Sequence, residues 1–419
     1  MMMSQAIHDT FAAALDARLP ALPGIAAALI RAPSPNPPLD TSGVAEVAAG
    51  LIRTHVPGAE IALHAAGQGV VNVVALVRGH APGRRMVLNG HLDTYPVNQA
   101  LPWTVDPLGG EVSDGRIYGR GAADMKGGIA ASIVALAALA DTAALWPGTV
   151  ALTLGGDEES MGVLGTQWLL ENVAEARGDA AIIGDAGSPR VVRFGEKGFL
   201  WVSIQAVGSP AHGAHVHRGA NAIDRLRAAL DAVTGLRGLP LDAPGAVTAA
   251  IAAAQAISEP LSGAGESHTL SHVTVNVGQF HGGTSLNLIP ARAEAGVDIR
   301  LPVGVSVARA TQALAAALEG MAGVTWTILR AVEPSYTAPD GEITRAVVAA
   351  ATAVLGVPPA VNMRVGGSDS RLFRAAGIPT IVYGPTPHNM GGADEFADLS
   401  ELAAVARVHA LAALGFLLA

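Results

Sequence analysis

The chain of 419 residues contains no cysteine. That absence excludes disulfides and thiolate metal sites, so any metal must be held by histidine and carboxylate side chains. Aromatic residues make up only 4%, which disfavours an aromatic-rich binding surface and favours small-residue helices packed closely on sheets. No long basic block interrupts a net charge of −9, so nucleic acid is not an expected partner. The first twenty or so residues lack the basic start and apolar core of a secretory signal. Apolar helical stretches such as 129–140 are too short and alanine-rich to span a bilayer, so a cytoplasmic protein with no membrane partner is expected. No G-x-S-x-G elbow follows a strand pattern, which argues against a serine hydrolase.

What is present is an alternation of short apolar runs with helical patterns. A helical pattern from Met1 to about Ile30 ends in RAPSPNPP, where the prolines forbid continuation. Strand candidates at 70–77, 86–89, 149–154 and 180–183 alternate with helical runs at 127–140 and 162–171. This predicts an α/β fold with a mostly parallel mixed sheet flanked by helices. Near Val191 the texture changes. FLWVSIQAVG, HTLSHVTVNVGQF and ARAEAGVDIRLPV alternate like half-buried strands around the amphipathic NAIDRLRAALDAVTGL, the pattern of a small α+β domain. After 305 helical patterns return, with a buried strand at 378–383 and a closing helix at 400–418. The expectation is a catalytic domain of residues 1–190 and 305–419, split by an insert of residues 191–304.

Ligand-type residues follow several of the apolar runs at once. His91 and Asp93 follow MVLNG, Glu158 and Glu159 follow 149–154, Asp185 follows 180–183, and His388 follows 378–383. In open parallel sheets, ligands bind beyond the carboxyl ends of the strands. A single aspartate in such a loop is usually a helix cap, and a single histidine a surface or satisfied core group. Four such loops at one sheet edge are hard to attribute to capping. Asp124 in GRGAADMKGG has two oxygens with which to bridge two metals, and Gly119, Gly121, Gly127 and Gly128 allow sharp turns and close approach. His91 suits a metal whose ligand ring is held at its other nitrogen by Asp93. Of the two adjacent glutamates, one carboxylate suits a metal and the other proton transfer.

NGHLDTYP, GRGAADMKGG, GGDEESMG and IIGDAG resemble the successive signatures of the M20 metallopeptidase family. That family includes aminoacylases, acetylornithine deacetylase, succinyl-diaminopimelate desuccinylase and glutamate carboxypeptidases. The resemblance continues through FGEKGFLWVSIQAVGSPAHGAHVHRGANAI, SLNLIPARAEAGVDIR, GGSDSRLFRAAGIP and DEFADLSEL, and so covers nearly the whole chain in order. It implies that His91 binds one metal together with Asp185, that Asp124 bridges two, and that Glu159 binds the second. It further implies Glu158 as general base, Asp93 as the partner of His91, and a lid domain that commonly carries a dimer interface, hence a homodimer through the insert.

In the insert, His212 matches the family's lid histidine, which stabilises a developing oxyanion. The alternatives are a chelating cluster with His215 and His217, or three solvated residues. Arg300 matches an arginine suited to a substrate carboxylate, the alternative being a pair with a structural acid. Asn287 resembles a residue near the substrate, and Gly366 and Gly367 open a turn, GGSDSR, whose amides face it; the segment lacks the fingerprint of a dinucleotide site. His8, His55, His64, His80 and His409 read as ordinary surface or helix residues. One position departs from the family pattern H-x-x-x-E: Glu395 matches the glutamate, but Gly391 stands where the histidine belongs. The adaptable Gly391–Gly392 loop makes His388 the expected substitute ligand, the alternative being a weakened or lost second site.

The resemblance thus implies hydrolysis of an amide bond in N-acyl amino acids or small peptides with a free carboxylate. Water would be activated at two divalent metal ions, with Glu158 as its base. Zn²⁺ is the first expectation, and Co²⁺ and Mn²⁺ suit the same ligands. The alternative is a non-catalytic or single-metal relative that binds an amino-acid-like ligand, which the missing histidine would favour.

Overall fold

Four short apolar strands lie parallel and adjacent inside a nine-stranded mixed sheet, in the order Thr149–Gly155, Arg85–His91, Ala180–Ile183 and Thr380–Val382. The computed structural model describes residues 5–419; Met1–Ser4, where the first helical pattern begins, and the His8 side chain lie outside the described residues. All four strands are buried along nearly their whole length, as expected where helices cover both faces of a parallel sheet. The register sets His91 opposite Gly155 and Asn89 opposite Ile183. The carboxyl ends therefore line up, and the loops that follow them share one edge. Val70–Arg78 and Glu60–Gly67 extend the sheet antiparallel on the far side of Thr149–Gly155.

Helix Gly127–Asp141 is apolar all round and buried from Gly127 to Leu139, which fits a central helix and not a surface one. A Cβ on Gly128 would come within 1.8 Å of the Gly184 carbonyl oxygen, so only glycine lets this helix meet the loop before Asp185. Length alone does not separate such helices from membrane spans, contrary to the argument from the sequence. The stretches Asp9–Ile30, Ala122–Asp141 and Leu399–Leu418 are all long and apolar enough to cross a bilayer, yet 94% of the window in Ala122–Asp141 is buried inside the protein. Leu399–Leu418 carries His409, a helix residue as expected, and buries it fully. Its Nε2 donates to the Tyr383 carbonyl at 2.7 Å, leaving Nδ1 to accept from the Ser132 hydroxyl at 3.1 Å. Burial pushes this imidazole down to about 4.

The chain divides into two compact units, the larger ending its first segment at Phe194 and resuming over Thr337–Asn362 and Ser368–Ala419. The smaller comprises Gly195–Tyr336 with Met363–Gly367. Its antiparallel sheet has the order Thr274–Gly282, Arg292–Leu301, Gly198–Val207, Val324–Val332. Leu200, Val202, Ile204 and Ala206 alternate into a core shared with Leu226, Ala229 and Val233 of helix Ala222–Thr234. Ala310 and Leu314 of helix Val307–Leu318 complete that core. The smaller unit therefore runs to Tyr336 and not to 304. The helical pattern after 305 packs on the insert's own sheet, and the following strand pairs with Gly198–Val207.

Candidate metal centre

His91 ends its strand with Nε2 3.0 Å from Asp124 Oδ1. Its Nδ1 lies 2.9 Å from the backbone oxygen of Asp93 and 3.5 Å from Asp93 Oδ1. The ring is thus held first by a carbonyl, which keeps a proton on Nδ1 and leaves Nε2 as the nitrogen that a metal would take. Burial works against a charged ring here, but Asp124 and Asp93 hold the His91 imidazole well above its ordinary range. The Asp93 carboxylate has a second task. It accepts the amides of Glu158 and Glu159 and the side-chain amide of Asn36.

Asp124 sits in a loop whose amides converge on Glu395. Glu395 Oε1 accepts from Gly121 at 3.0 Å, Ala123 at 3.1 Å and Asp124 at 3.3 Å. Its other oxygen pairs with the buried Arg120 guanidinium. The glutamate turn follows strand Thr149–Gly155. Asp157, the first of three successive acids, is structural: it accepts the amides of Leu164 and Gly165. Glu159 turns inward, and ligand atoms of His91, Asp124 and Glu159 lie within 4.8 Å of one another, the one such group among the described residues.

Two observations say that these residues fit a divalent cation. Glu159 Oε1 is buried without a hydrogen-bond partner, an expensive state unless a cation takes the lone pair. Burial, with the Asp124 carboxylate beside it, also pushes Glu159 up to about 8. Burial likewise pushes Glu158 well above the carboxylate range, with His91 and Arg371 opposing and Asp369 and Asp185 adding to the rise. Crowded buried carboxylates around one imidazole are the donor set of Zn²⁺, Co²⁺ or Mn²⁺ sites.

Asp185 is buried just beyond its strand, close enough for its charge to act on Glu158, but it is not part of the three-residue group. Nor is His388. Its ring stacks on Phe396 with centroids 4.4 Å apart and planes 3° from parallel, and Nε2 lies 3.3 Å from Asp398. The expected substitute ligand is occupied elsewhere. Gly391 has φ +74, a backbone that suits glycine and not histidine, and its carbonyl accepts from Arg120 Nη2 at 2.9 Å. A Cβ there would first meet the Tyr95 ring, at 3.8 Å.

In the smaller unit, His212 Nδ1 accepts the Ala214 amide at 3.2 Å, so the neutral ring carries its proton on Nε2. The His215 ring centroid lies 5.9 Å from those of His212 and of His217. Asn287 shares this corner: its carbonyl accepts the Gly213 amide at 2.7 Å, and its Oδ1 accepts from Ser285. Arg300 pairs through Nε with Asp298 at 3.0 Å and lies over Phe199. Gly366 and Gly367 link strand Ala360–Arg364 to helix Ser370–Ala375.

Several site residues escaped the sequence reading. Asn36, in the proline-rich break, offered only a turn signal; Arg120 lay inside a matched motif without a role; Asp369 and Arg371 were the unexamined half of GGSDSR. Lys197, the lysine of FGEKGF, is also buried, with Nζ donating to the carbonyls of Thr269 and His272. Burial, helped by the Arg300 charge, pushes it down to about 7.

Residues 87–415 match the model of peptidase family M20/M25/M40. The succinyl-diaminopimelate desuccinylase of Rhodospirillum centenum is 32% identical over 334 residues, which cover 78% of this chain and 80% of that protein. The fold is similar to that of an M20 family metallo-carboxypeptidase from Sulfolobus solfataricus, with a TM-score of 0.73 at 20% identity, over 95% of this chain and 98% of the other. It is also similar to a dinuclear metal binding peptidase of the M20 family from Bacillus subtilis, with a TM-score of 0.66 at 16% identity, over 96% and 99%.

Proposed function

The chain belongs to peptidase family M20/M25/M40 and is a metal-dependent hydrolase of amide bonds; we propose that it cleaves N-acyl amino acids or small peptides bearing a free carboxylate, with Glu158 as general base. The observation that carries this reading is the convergence of His91, Asp124 and Glu159 at one sheet edge with Glu158 alongside.

In this reading His91 and Asp185 would hold one metal and Glu159 would hold another, with the Asp124 carboxylate contributing to both. Bound divalent metal supplies Lewis acidity that brings water within reach of deprotonation near neutral pH and polarises the amide carbonyl. Glu158 accepts the proton of the attacking water and returns it to the leaving nitrogen. His212 donates a hydrogen bond from Nε2–H to the carbonyl oxygen as negative charge develops there. Asp298 engages Arg300 through Nε, which leaves the Nη pair for a substrate carboxylate. Asn287, beside His212, and the turn at Gly366 and Gly367 complete the substrate contacts. A homodimer through the smaller unit belongs to the same reading, supported by the outer edge of strand Val324–Val332, where Ile328 and Leu329 are exposed. A cytoplasmic site of action belongs to it too.

N-succinyl amino acids are the first substrates to try, given the desuccinylase relative. The test is a panel of N-succinyl-diaminopimelate, N-acetyl amino acids and dipeptides, each with Zn²⁺, Co²⁺ or Mn²⁺. Glu158→Gln is expected to keep its metal and lose at least about two orders of magnitude in kcat. Hydrolysis that survives that change would remove Glu158 from the role. A centre with one metal is the second reading, favoured by the engagement of His388 with Asp398 and Phe396. About one equivalent of bound metal in an active preparation would decide for it.

A further inference from the structure

We propose that Arg371 is a positioning residue that holds the Glu158 carboxylate in its working orientation, an inference that rests on Glu158 being the base. Arg371 is buried at the start of helix Ser370–Ala375. Its Nη2 donates to the carbonyl of Met161 at 2.9 Å, and its Nη1, which also donates to the Ser368 carbonyl, lies 3.5 Å from Glu158 Oε1. One guanidinium therefore spans the glutamate turn, touching the side chain of its first residue and the carbonyl just past its last.

The need for such a clamp is local. Met161 has φ 93, a left-handed conformation that a side chain such as methionine keeps only when its surroundings impose it. Asp93 fixes the turn through the backbone amides of Glu158 and Glu159. The Glu158 side chain itself is held by a cation beside its carboxylate. Arg371 supplies the cation, and the planar fork lets it serve the carbonyl and the carboxylate together. A lysine keeps the charge and cannot make both contacts in that geometry.

The test uses the full-length Zn²⁺-loaded enzyme and the panel substrate that it cleaves fastest. Arg371→Ala is expected to lower kcat by about 10- to 100-fold with KM within about twofold, and to leave the Zn²⁺ stoichiometry measured by calorimetry unchanged. Arg371→Lys is expected to fall between, with the same KM. In a Glu158→Gln background, Arg371→Ala should add no further loss, because its effect passes through the missing carboxylate. Losses that multiply in the double variant overturn the proposal, as does a raised KM with unchanged kcat, which would make Arg371 a substrate contact. Loss of Zn²⁺ binding also overturns it. Should Arg371→Ala not fold, Arg371→Lys decides by the same split between kcat and KM. Failure of the parent reading shows separately, as full hydrolysis by Glu158→Gln alone.

Discussion

The carboxylate of Asp93 accepts the backbone amide of Glu158 through one oxygen and that of Glu159 through the other, each at 3.1 Å. The loop bearing His91 and the turn bearing both glutamates thus share a single anchor. A shift in that anchor moves His91 and Glu158 together.

Asn36 steadies the anchor from outside, its amide nitrogen 2.8 Å from Asp93 Oδ2 and 2.9 Å from Ser160 Oγ. Asn36→Leu is expected to weaken Zn²⁺ binding by about 10-fold or more, the usual size of such outer contacts. Asn36→Asp should weaken it further by setting a second carboxylate against Asp93. Competition with a chromogenic chelator measures both, and wild-type affinity in the two variants would leave Asn36 no part in the site.

Glu395 and Arg120 form a buried ion pair from which three loop amides also hang. Removing one partner of such a pair typically costs about 3–5 kcal/mol, because the other charge stays buried without compensation. Glu395→Ala should therefore lower the denaturation midpoint sharply and reduce bound metal. A variant with normal stability and normal metal content would contradict the anchoring of Asp124 by Glu395.

Metal should also stabilise the fold as a ligand of the native state alone. At a free Zn²⁺ concentration near one hundred times Kd the expected gain is about 2.7 kcal/mol. Thermal melting with and without a chelator reads it directly. In His91→Ala the shift should largely disappear, and an undiminished shift would place the stabilising metal elsewhere.

His409 gives the stability an acid limb. Its imidazole titrates near 4 in the fold against an ordinary 6.5, so above pH 6.5 it is neutral in both states and has no effect. As pH falls from 6.5 toward 4, the unfolded chain takes up a proton that the fold refuses, and stability declines by about 3 kcal/mol in total. His409→Gln, which can still donate to the Tyr383 carbonyl, should flatten the decline between those limits. Denaturation curves at a series of pH values measure the slope, and an unchanged slope in the variant would exclude His409 as its source.

Local patterns were legible in the chain. The central strands are continuous apolar runs, and His91 and Glu159 stand where such runs stop, so residue type and place coincide. Interactions across long separations were not. Nothing around Glu395 or Asn36 announces a hydrogen bond to a distant loop. The amphipathic face of Val307–Leu318 states that a core exists but not which one, and so the insert's boundary was drawn too early. His409 hides in an alanine-rich helix between the buried Val408 and Ala410, and His388 is claimed by Phe396 and Asp398, eight and ten residues further on.

The contact between Glu395 and the Asp124 amide joins positions 271 apart. During synthesis, a chain that has already passed Glu159 holds His91, Asp124 and Glu159 but lacks the acceptor that gathers the Asp124 loop. Capture of metal at full strength therefore belongs to the finished polypeptide. Any truncation upstream of Glu395 removes the shared acceptor of the Gly121, Ala123 and Asp124 amides.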